Sequence, residues 1–487
     1  MGKFKDYLVY FWKSTDKLLL FLCLLASAFG VLMVTSATWH TMKEGAALPR
    51  DTYTMIAAVV LGLIIAMAIS LVDIDIWCRM WYIWAIVGVA LMVFILFFGT
   101  APSARSDART WIKLGVIYFQ PSELVKVFFI TTFAVHLDHI REELNKFKNV
   151  VLLALHALFP FLLVSISGDD GSALVFLLIA FFMMFIAGIN WKYIVGVIVL
   201  AAAAVPLFWF QLSDFQKQRF IVIVDPDRYP ATAYQQKLSL SALSNGGFLG
   251  RGLFKGPYTQ SGAVPESEND FIFTVIGEEL GVLGGIVALA LIAVIIFRIV
   301  RDGRQAIASP AQYIGFGVAS MIAIQTFINI AMVLRIGPVI GITLPFYSAG
   351  GSATLCLYVG LGLIFSIYRS VYNQTQETSF RLIGVRSPFD DTFHDPAAYK
   401  ERTKDRSSNS GSRRELEPQR GRIAKDTSKK QADKDRKARE KASRKIEKER
   451  AKAQKAAAKK RKKNKRQPAA QQRSHSATYE RRHGKDK

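Results

Sequence analysis

The sequence predicts an all-α, polytopic membrane protein with about ten transmembrane helices, both termini in the cytoplasm and one long extracellular loop. Apolar runs of about 20 residues recur along the first 370 residues, and this is the length at which a helix crosses a hydrocarbon core about 30 Å thick. The charge is also unevenly divided. Residues 371–487 hold 36 Lys and Arg against 16 Asp and Glu, whereas the first 370 residues hold 26 against 22. An apolar body followed by a basic tail excludes an ordinary soluble multidomain protein.

Ten apolar stretches are predicted to span the membrane. In chain order they are Leu18–Trp39, Tyr53–Val72, Met80–Gly99, Ser122–Leu137, Val150–Ile166, Ser172–Ile189, Tyr193–Phe210, Phe271–Ile299, Tyr313–Leu334 and Ala349–Tyr368. The first is too long for a cleaved signal peptide and lacks a clear small-residue cleavage site, so it is expected to be retained.

Lys and Arg in the short loops predict the orientation, because cytoplasmic loops carry an excess of both. With an even number of spans both termini share one side, and the loops of that side hold twelve basic residues against six opposite. This places both termini in the cytoplasm and makes the long connection, about 211–269, extracellular. The predicted domains are a cytoplasmic N-terminus (1–17), a transmembrane domain (18–370) and a cytoplasmic tail (371–487).

The basic tail is predicted to be disordered, because its helix-forming stretch has no apolar stripe to bury. It is either a solvating tail or a segment attracted to anionic lipid headgroups, which contribute about 1 kcal/mol per basic residue near the surface. Nucleic-acid binding is disfavoured, because neither interleaved aromatic residues nor a recognised fold accompanies the charge.

The cysteines and histidines give no sign of a structural metal. Cys23, Cys78 and Cys356 lie in or at the edge of predicted spans, the seven histidines are scattered, and neither CxxC nor HExxH spacing occurs. A disulfide framework in the outer loop is not expected either.

Charged residues in or beside spans are functional candidates, because burying them in a membrane is costly. Glu123 and Lys126 are three residues apart and can pair on one face of a helix that starts near Pro121. The alternative for this pair is an interfacial ion pair anchored by Trp111. Asp169 lies in Gly168-Asp-Asp-Gly171 at the outer end of a span, where a simple turn is the alternative.

Asp270 lies where the long outer connection enters an apolar helix. Burial there raises the pKa of a carboxylate and makes it a better base, whereas the structural alternative is an N-cap of the helix beginning at Phe271. Glu278 is eight residues further, about 12 Å along a helix, and hydrolytic carboxyl pairs stand about 5–9.5 Å apart. A single base suffices when the leaving group needs no proton, as with a pyrophosphate.

Glycines and prolines are dense in Ile336–Ser352, at a depth where the next span begins. Such irregular backbone persists in a membrane only when it is buried in protein or lines a cavity. A tight re-entrant connection without a ligand is the alternative.

Four of these segments in this order resemble the SEDS family of polytopic membrane proteins, which includes FtsW, RodA and SpoVE. The segments are Phe119–Lys126, Gly246–Gly252, Asn269–Gly281 and Gly341–Ser352, and the resemblance runs from about Asp16 to Arg369.

The resemblance implies a peptidoglycan glycosyltransferase that joins lipid II units at the outer face of the bacterial plasma membrane and releases undecaprenyl pyrophosphate. It implies that Asp270 is the catalytic base. Candidates for the substrate site or the central cavity are Glu123, Lys126, Arg109, Lys113, Arg219, Asp169, Glu278 and Ser352. A divalent cation, Mg²⁺ or Mn²⁺, is implied without identifiable ligands, no organic cofactor is expected, and the implied partner is a class B penicillin-binding protein.

Two other functions fit the same residues. A lipid II flippase would also use intramembrane charges and broken helices, although no clear inverted repeat is visible and the charged clusters favour one membrane face. A non-catalytic scaffold for the penicillin-binding protein is the third hypothesis. Division, elongation and sporulation roles are not separated by any residue pattern.

Overall fold

In a computed structural model, the structure describes residues 9–42, 47–101, 109–115 and 117–383. All of them belong to the first of the chain's two units, Met1–Ser387. The predictions for the start of the N-terminus and for the tail beyond residue 383 fall outside the described residues.

Helices dominate the described residues. Short 3₁₀ helices lie at Trp39–Thr41 and Arg141–Glu143, and a helical stretch at residues 9–14 precedes fourteen further α-helices. These are α1 (Lys17–Thr38), α2 (Arg50–Ser70), α3 (Ile74–Arg79), α4 (Trp81–Phe98), α5 (Pro121–His139), α6 (Phe147–Ile166), α7 (Asp170–Ala187), α8 (Trp191–Gln211), α9 (Asp214–Val224), α10 (Pro230–Gly246), α11 (Pro257–Gln260), α12 (Ile272–Gln305), α13 (Ser309–Val333) and α14 (Gly351–Ile383). The short strands β1 (Ile112–Leu114) and β2 (Ile117–Phe119) pair antiparallel, with Ile112 opposite Phe119.

Eight of these helices are long and apolar enough to cross a membrane: α1, α2, α4, α6, α7, α12, α13 and α14. The chain is therefore a multi-pass membrane protein, and the predicted fold class is confirmed. The remaining two predicted spans coincide with α5 and α8. The count of ten spans and their orientation stay predictions.

The long connection between α8 and α12, predicted to be the outer connection, contains helices α9, α10 and α11, which the sequence did not predict. The predicted span Phe271–Ile299 also differs, because α12 continues to Gln305 and its helical backbone is interrupted at Gly281, where φ is +68° and ψ is −170°. At the end of the body, α14 passes the predicted boundary at 370 and ends at Ile383.

The loop after α10 satisfies the backbone groups that the interruption at Gly281 releases. The carbonyls of Glu278 and Glu279 accept hydrogen bonds from the amides of Arg251 (3.0 Å) and Gly252 (2.9 Å). In return, the amides of Val282 and Leu283 donate to the carbonyls of residues 247 and 248 (3.0 and 3.2 Å). An added Cβ on Gly250, whose φ is +83°, would lie 2.1 Å from the Glu279 carbonyl oxygen. A glycine-rich segment is needed here because two backbones touch.

The segment between α13 and α14 is irregular, as the sequence predicted, and most of its residues from Ile342 to Ser348 are buried. Ile342, Leu344, Phe346 and Tyr347 are each at most 2% exposed. The segment also contacts α1, since a Cβ on Gly30 would come within 2.1 Å of the Phe346 carbonyl oxygen. Protein surrounds the part from Ile342 to Ser348, which is a condition under which irregular backbone persists in a membrane.

Candidate active site

Asp270 lies just before α12 and is not its cap. The N-cap position is Phe271, which makes no side-chain capping bond, so the capping alternative is wrong. The Asp270 carboxyl faces Gly341 of the irregular segment: a Cβ on Gly341 would lie 3.3 Å from Oδ2. Because glycine has no side chain, the Asp270 carboxyl can pack against this segment at Gly341.

The surroundings of Asp270 favour the neutral form of its carboxyl and so raise its pKa. Part of the residue reaches solvent, yet burial of the carboxyl, reinforced by the charges of Glu266 and Glu268, raises its pKa from 3.8 to about 7. Arg219 opposes this rise and Asp169 adds to it. A carboxyl with a pKa near 7 is poised to accept a proton at neutral pH.

Asp169 connects two elements beside this carboxyl. Its Oδ1 accepts from the Ser172 amide (3.0 Å) and so caps α7. Its Oδ2 accepts from Gln120 Nε2 (2.7 Å) and Ser122 Oγ (3.1 Å) at the start of α5. Ser352, at the start of α14, accepts from the Gln120 amide at 3.0 Å. The structure thus brings Asp169 and Ser352 together through Gln120, and it places Asp169 in electrostatic contact with Asp270.

Glu123 and Lys126 form the predicted pair. Lys126 Nζ lies 2.6 Å from Glu123 Oε1, and Lys126 is completely buried whereas Glu123 is 8% exposed. The pair is therefore enclosed in the helix bundle. Because the Glu123 carboxylate already balances the Lys126 charge, a ligand anion would have to compete for it.

Glu278 fastens the outer connection. This fully buried carboxylate accepts hydrogen bonds from the amides of Tyr258 (2.9 Å) and Thr259 (2.8 Å) and from Thr259 Oγ1 (2.7 Å). Its neighbour Glu279 accepts from Ser36 Oγ of α1 at 2.7 Å. Glu278 therefore holds α11 against α12.

Arg109 precedes the β1–β2 pair of strands, and Lys113 lies on β1. The Arg109 amide donates to the Ser167 carbonyl and its Nη1 donates to the Leu96 carbonyl, both at 2.9 Å. Lys113, on β1, is exposed and its Nζ stands 6.0 Å from the ring centroid of Tyr118. Within the described ranges, neither side chain hydrogen-bonds to Asp270.

The described residues form no ready-made carboxylate or imidazole cage for the implied divalent cation. Among the residues that the structure describes, no three His, Cys, Asp or Glu side chains are close enough to hold one ion. Because Mg²⁺ is usually held by one or two carboxylates together with substrate phosphates and water, the implied cation stays a prediction, and no chemical step is assigned to a metal here.

Comparison with known proteins decides the family. A family model for the FtsW, RodA and SpoVE proteins, described as "Cell cycle protein", matches residues 16–373. The chain belongs to this family. The peptidoglycan glycosyltransferase MrdB of Escherichia coli K12 is 34% identical over 288 residues, covering 58% of this chain and 76% of MrdB. A probable peptidoglycan glycosyltransferase FtsW of Geobacter sulfurreducens is 30% identical over 361 residues, covering 72% and 94%.

Solved structures of the same fold are also similar to this FtsW/RodA/SpoVE family member. A chain of a peptidoglycan synthase complex, described as coordinating polymerization and crosslinking, aligns with a TM-score of 0.62 and 26% identity, covering 74% of this chain and 98% of that chain. RodA of Thermus thermophilus aligns with a TM-score of 0.55 and 24% identity, covering 74% and 99%, and supports the fold alone.

Two site residues were missed as individual candidates in the sequence. Gln120 lies inside a segment that was singled out, but only the charged members of that segment were proposed. Asn329 is completely buried in α13, and its Nδ2 donates to the Asp270 carbonyl at 2.8 Å. The available signal was an amide side chain inside the apolar span Tyr313–Leu334, because buried polar groups need partners.

Proposed function

We propose that this chain is a peptidoglycan glycosyltransferase that polymerises lipid II at the outer face of the bacterial plasma membrane. One observation carries the proposal: the Asp270 carboxyl packs against Gly341 of the irregular segment, where burial raises its pKa to about 7. The glycosyltransferase names of the MrdB and FtsW relatives support the same activity.

Asp270 acts as the general base. Its carboxylate takes the proton of the 4-hydroxyl on the acceptor's GlcNAc while that oxygen attacks C1 of the donor's MurNAc. The new O4–C1 bond forms as the C1–O bond to pyrophosphate breaks, and the electron pair leaves with undecaprenyl pyrophosphate. The anomeric centre is inverted. A second carboxyl acid is not required, because pyrophosphate leaves without being protonated.

Positive charge stabilises the leaving group as its negative charge develops. Arg219 is the candidate supported best, because its charge already acts on Asp270. Lys126 is a weaker candidate, since it is fully buried and Glu123 neutralises its charge. A hydrogen-bonded cluster of polar side chains links the starts of α5, α7 and α14. It consists of Gln120, Asp169 and Ser352.

The proposed partner is a class B penicillin-binding protein, whose transpeptidase crosslinks the new glycan. The similarity to a chain of a complex that combines polymerization with crosslinking supports this partner. The basic tail is proposed to contact anionic lipids at the cytoplasmic surface, because 36 of its residues are Lys or Arg.

The test uses the full chain purified with its transpeptidase partner and supplied with lipid II, first in detergent and then in vesicles. Glycan polymer from the native protein supports the glycosyltransferase. Transfer of lipid II between leaflets without polymer would favour the flippase. Neither polymer nor transfer, with the partner still bound, would favour the scaffold.

A further inference from the structure

Three consecutive backbone carbonyls lead to the side chain of Asp270, and each accepts a hydrogen bond from elsewhere in the fold. The Ala349 amide donates to Glu268 O at 2.9 Å. Ser348 Oγ donates to Asn269 O at 2.7 Å, and Asn329 Nδ2 donates to Asp270 O at 2.8 Å. The backbone that carries the proposed base is thus held from the irregular segment and from α13.

Asn329 makes a second bond that joins both sides of the site. The same Nδ2 donates to the carbonyl of Ile342 at 2.7 Å. An amide nitrogen carries two hydrogens, and only this end of the side chain can face two carbonyls, so the orientation of the amide is fixed. Its Oδ1 is buried without a hydrogen-bond partner. Both hydrogen bonds of Asn329 thus come from its amide nitrogen.

The carbonyls of Asp270 and Ile342, which Asn329 joins, flank the position of the Asp270 carboxyl. Gly341 precedes Ile342, and it is the residue whose absent Cβ leaves room for Asp270 Oδ2. One amide therefore sets the separation between the Asp270 backbone and the surface against which its carboxyl lies. Displacing a reacting group by about 1 Å can lower a rate about 10²-fold.

We propose that Asn329 is a positioning residue for Asp270, holding it in the geometry from which it removes the acceptor's proton. This inference rests on the proposed glycosyltransferase function. Asn329 touches the backbone of Asp270 and does not act on the substrate itself.

The test compares two isosteric changes of buried amides. Asn329→Asp keeps the size of the side chain but replaces its donors by acceptors that repel both carbonyls. Gln236→Glu is the matched control, because Gln236 Nε2 also donates to two carbonyls, of Met332 and Gly337, both at 2.9 Å. Gln236 is likewise completely buried with its Oε1 unpaired. Its amide nitrogen bonds these two carbonyls and none of the 268–270 backbone. In Gln236→Glu the Gly337 carbonyl loses this partner, whereas the Met332 carbonyl still accepts from the Arg335 amide at 3.1 Å.

We measure lipid II polymerisation by the full chain with its partner, with kcat and KM determined from pH 5.5 to 8.5. For Asn329→Asp we expect kcat to fall about 10²-fold while KM changes less than about threefold. The midpoint of the kcat profile should rise, because a new carboxylate lies near Asp270. For Gln236→Glu we expect kcat within about threefold of native and an unchanged midpoint. Equal losses in both variants, or a native kcat and midpoint in Asn329→Asp, would overturn the inference.

A second variant keeps the inference testable if Asn329→Asp does not fold. Asn329→Ala removes the amide without adding charge, and we expect at least a tenfold lower kcat with the midpoint displaced to lower pH, because water gains access to the loosened carboxyl. A native kcat and midpoint in this variant would also overturn the inference. Absence of polymer from the native protein would instead refute the proposed function, so the two failures are distinguishable.

Discussion

The charges around Asp270 make opposite predictions for two neighbouring substitutions. Glu266 raises the pKa of Asp270 and Arg219 lowers it. Glu266→Gln should therefore displace the midpoint of the rate profile to lower pH, and Arg219→Gln should displace it to higher pH. The native midpoint should lie near 7, so the rate at pH 6 should be about one tenth of the plateau.

The size of each displacement follows from the exposure of the charges. Glu266 is exposed and Arg219 is half-buried, and a solvent-exposed charge pair contributes about 0.2–1 kcal/mol. At about 1.36 kcal/mol per pKa unit, the midpoint of the rate profile for Glu266→Gln should fall by roughly 0.2–0.7 pH units. The rise for Arg219→Gln should be at least as large, because a less exposed charge is screened less.

The assay is initial-rate polymerisation of lipid II from pH 5.5 to 8.5, with the transpeptidase partner bound. Glu266→Gln should keep the native plateau, whereas Arg219→Gln should also lower it, because Arg219 is the proposed cation for the leaving pyrophosphate. A native midpoint near 4, or midpoints that move in the same direction in both variants, would refute the reasoning.

Four further outcomes follow from the structure. Lys126→Met should cost about 3–5 kcal/mol by leaving Glu123 buried without a partner, and adding Glu123→Gln should recover much of it in a thermal-unfolding double-mutant cycle. Glu278→Gln should cost about 1–3 kcal/mol, because its new NH₂ group faces backbone N–H donors. Asp270→Asn should raise the melting temperature at pH 8 more than at pH 5. The reason is that the penalty for ionising Asp270 is absent below its ordinary pKa of 3.8 and complete above about 7. Truncation after Ile383 should leave the polymerisation rate in detergent unchanged and weaken binding to anionic vesicles, measured by co-sedimentation.

The fold was predictable where composition alone determines structure. Apolar runs of about 20 residues form helices in a membrane because no other partner exists for their backbone groups. The interruption at Gly281 was not predictable, because the helix there is broken by a contact with Gly246–Gly252, more than 25 residues earlier in the sequence. The helices of the outer connection were missed for a related reason, since Glu278 fastens α11 from a distant element.

The sequence indicated the charged residues of the candidate site but not the residues that hold them in position. Asp270 and the Glu123–Lys126 pair are costly in a membrane and are therefore conspicuous in the sequence. Whether Asp270 caps α12 depends on where the helix begins, and local sequence does not fix that to one residue. Asn329 and Gln120 act through backbone atoms, and the partners of an amide become visible only when the chain is folded.

The most direct test of Asp270 as the base is the rate of polymer formation by Asp270→Asn at pH 8, beside Asp214→Asn as a control. Asp214 is an exposed carboxylate at the start of α9, so both variants lose one negative charge from the outer connection and its junction with α12. We expect Asp214→Asn to polymerise lipid II at the native rate and folded, partner-bound Asp270→Asn to fall to background. Polymer from Asp270→Asn at the native rate would show that another group accepts the proton.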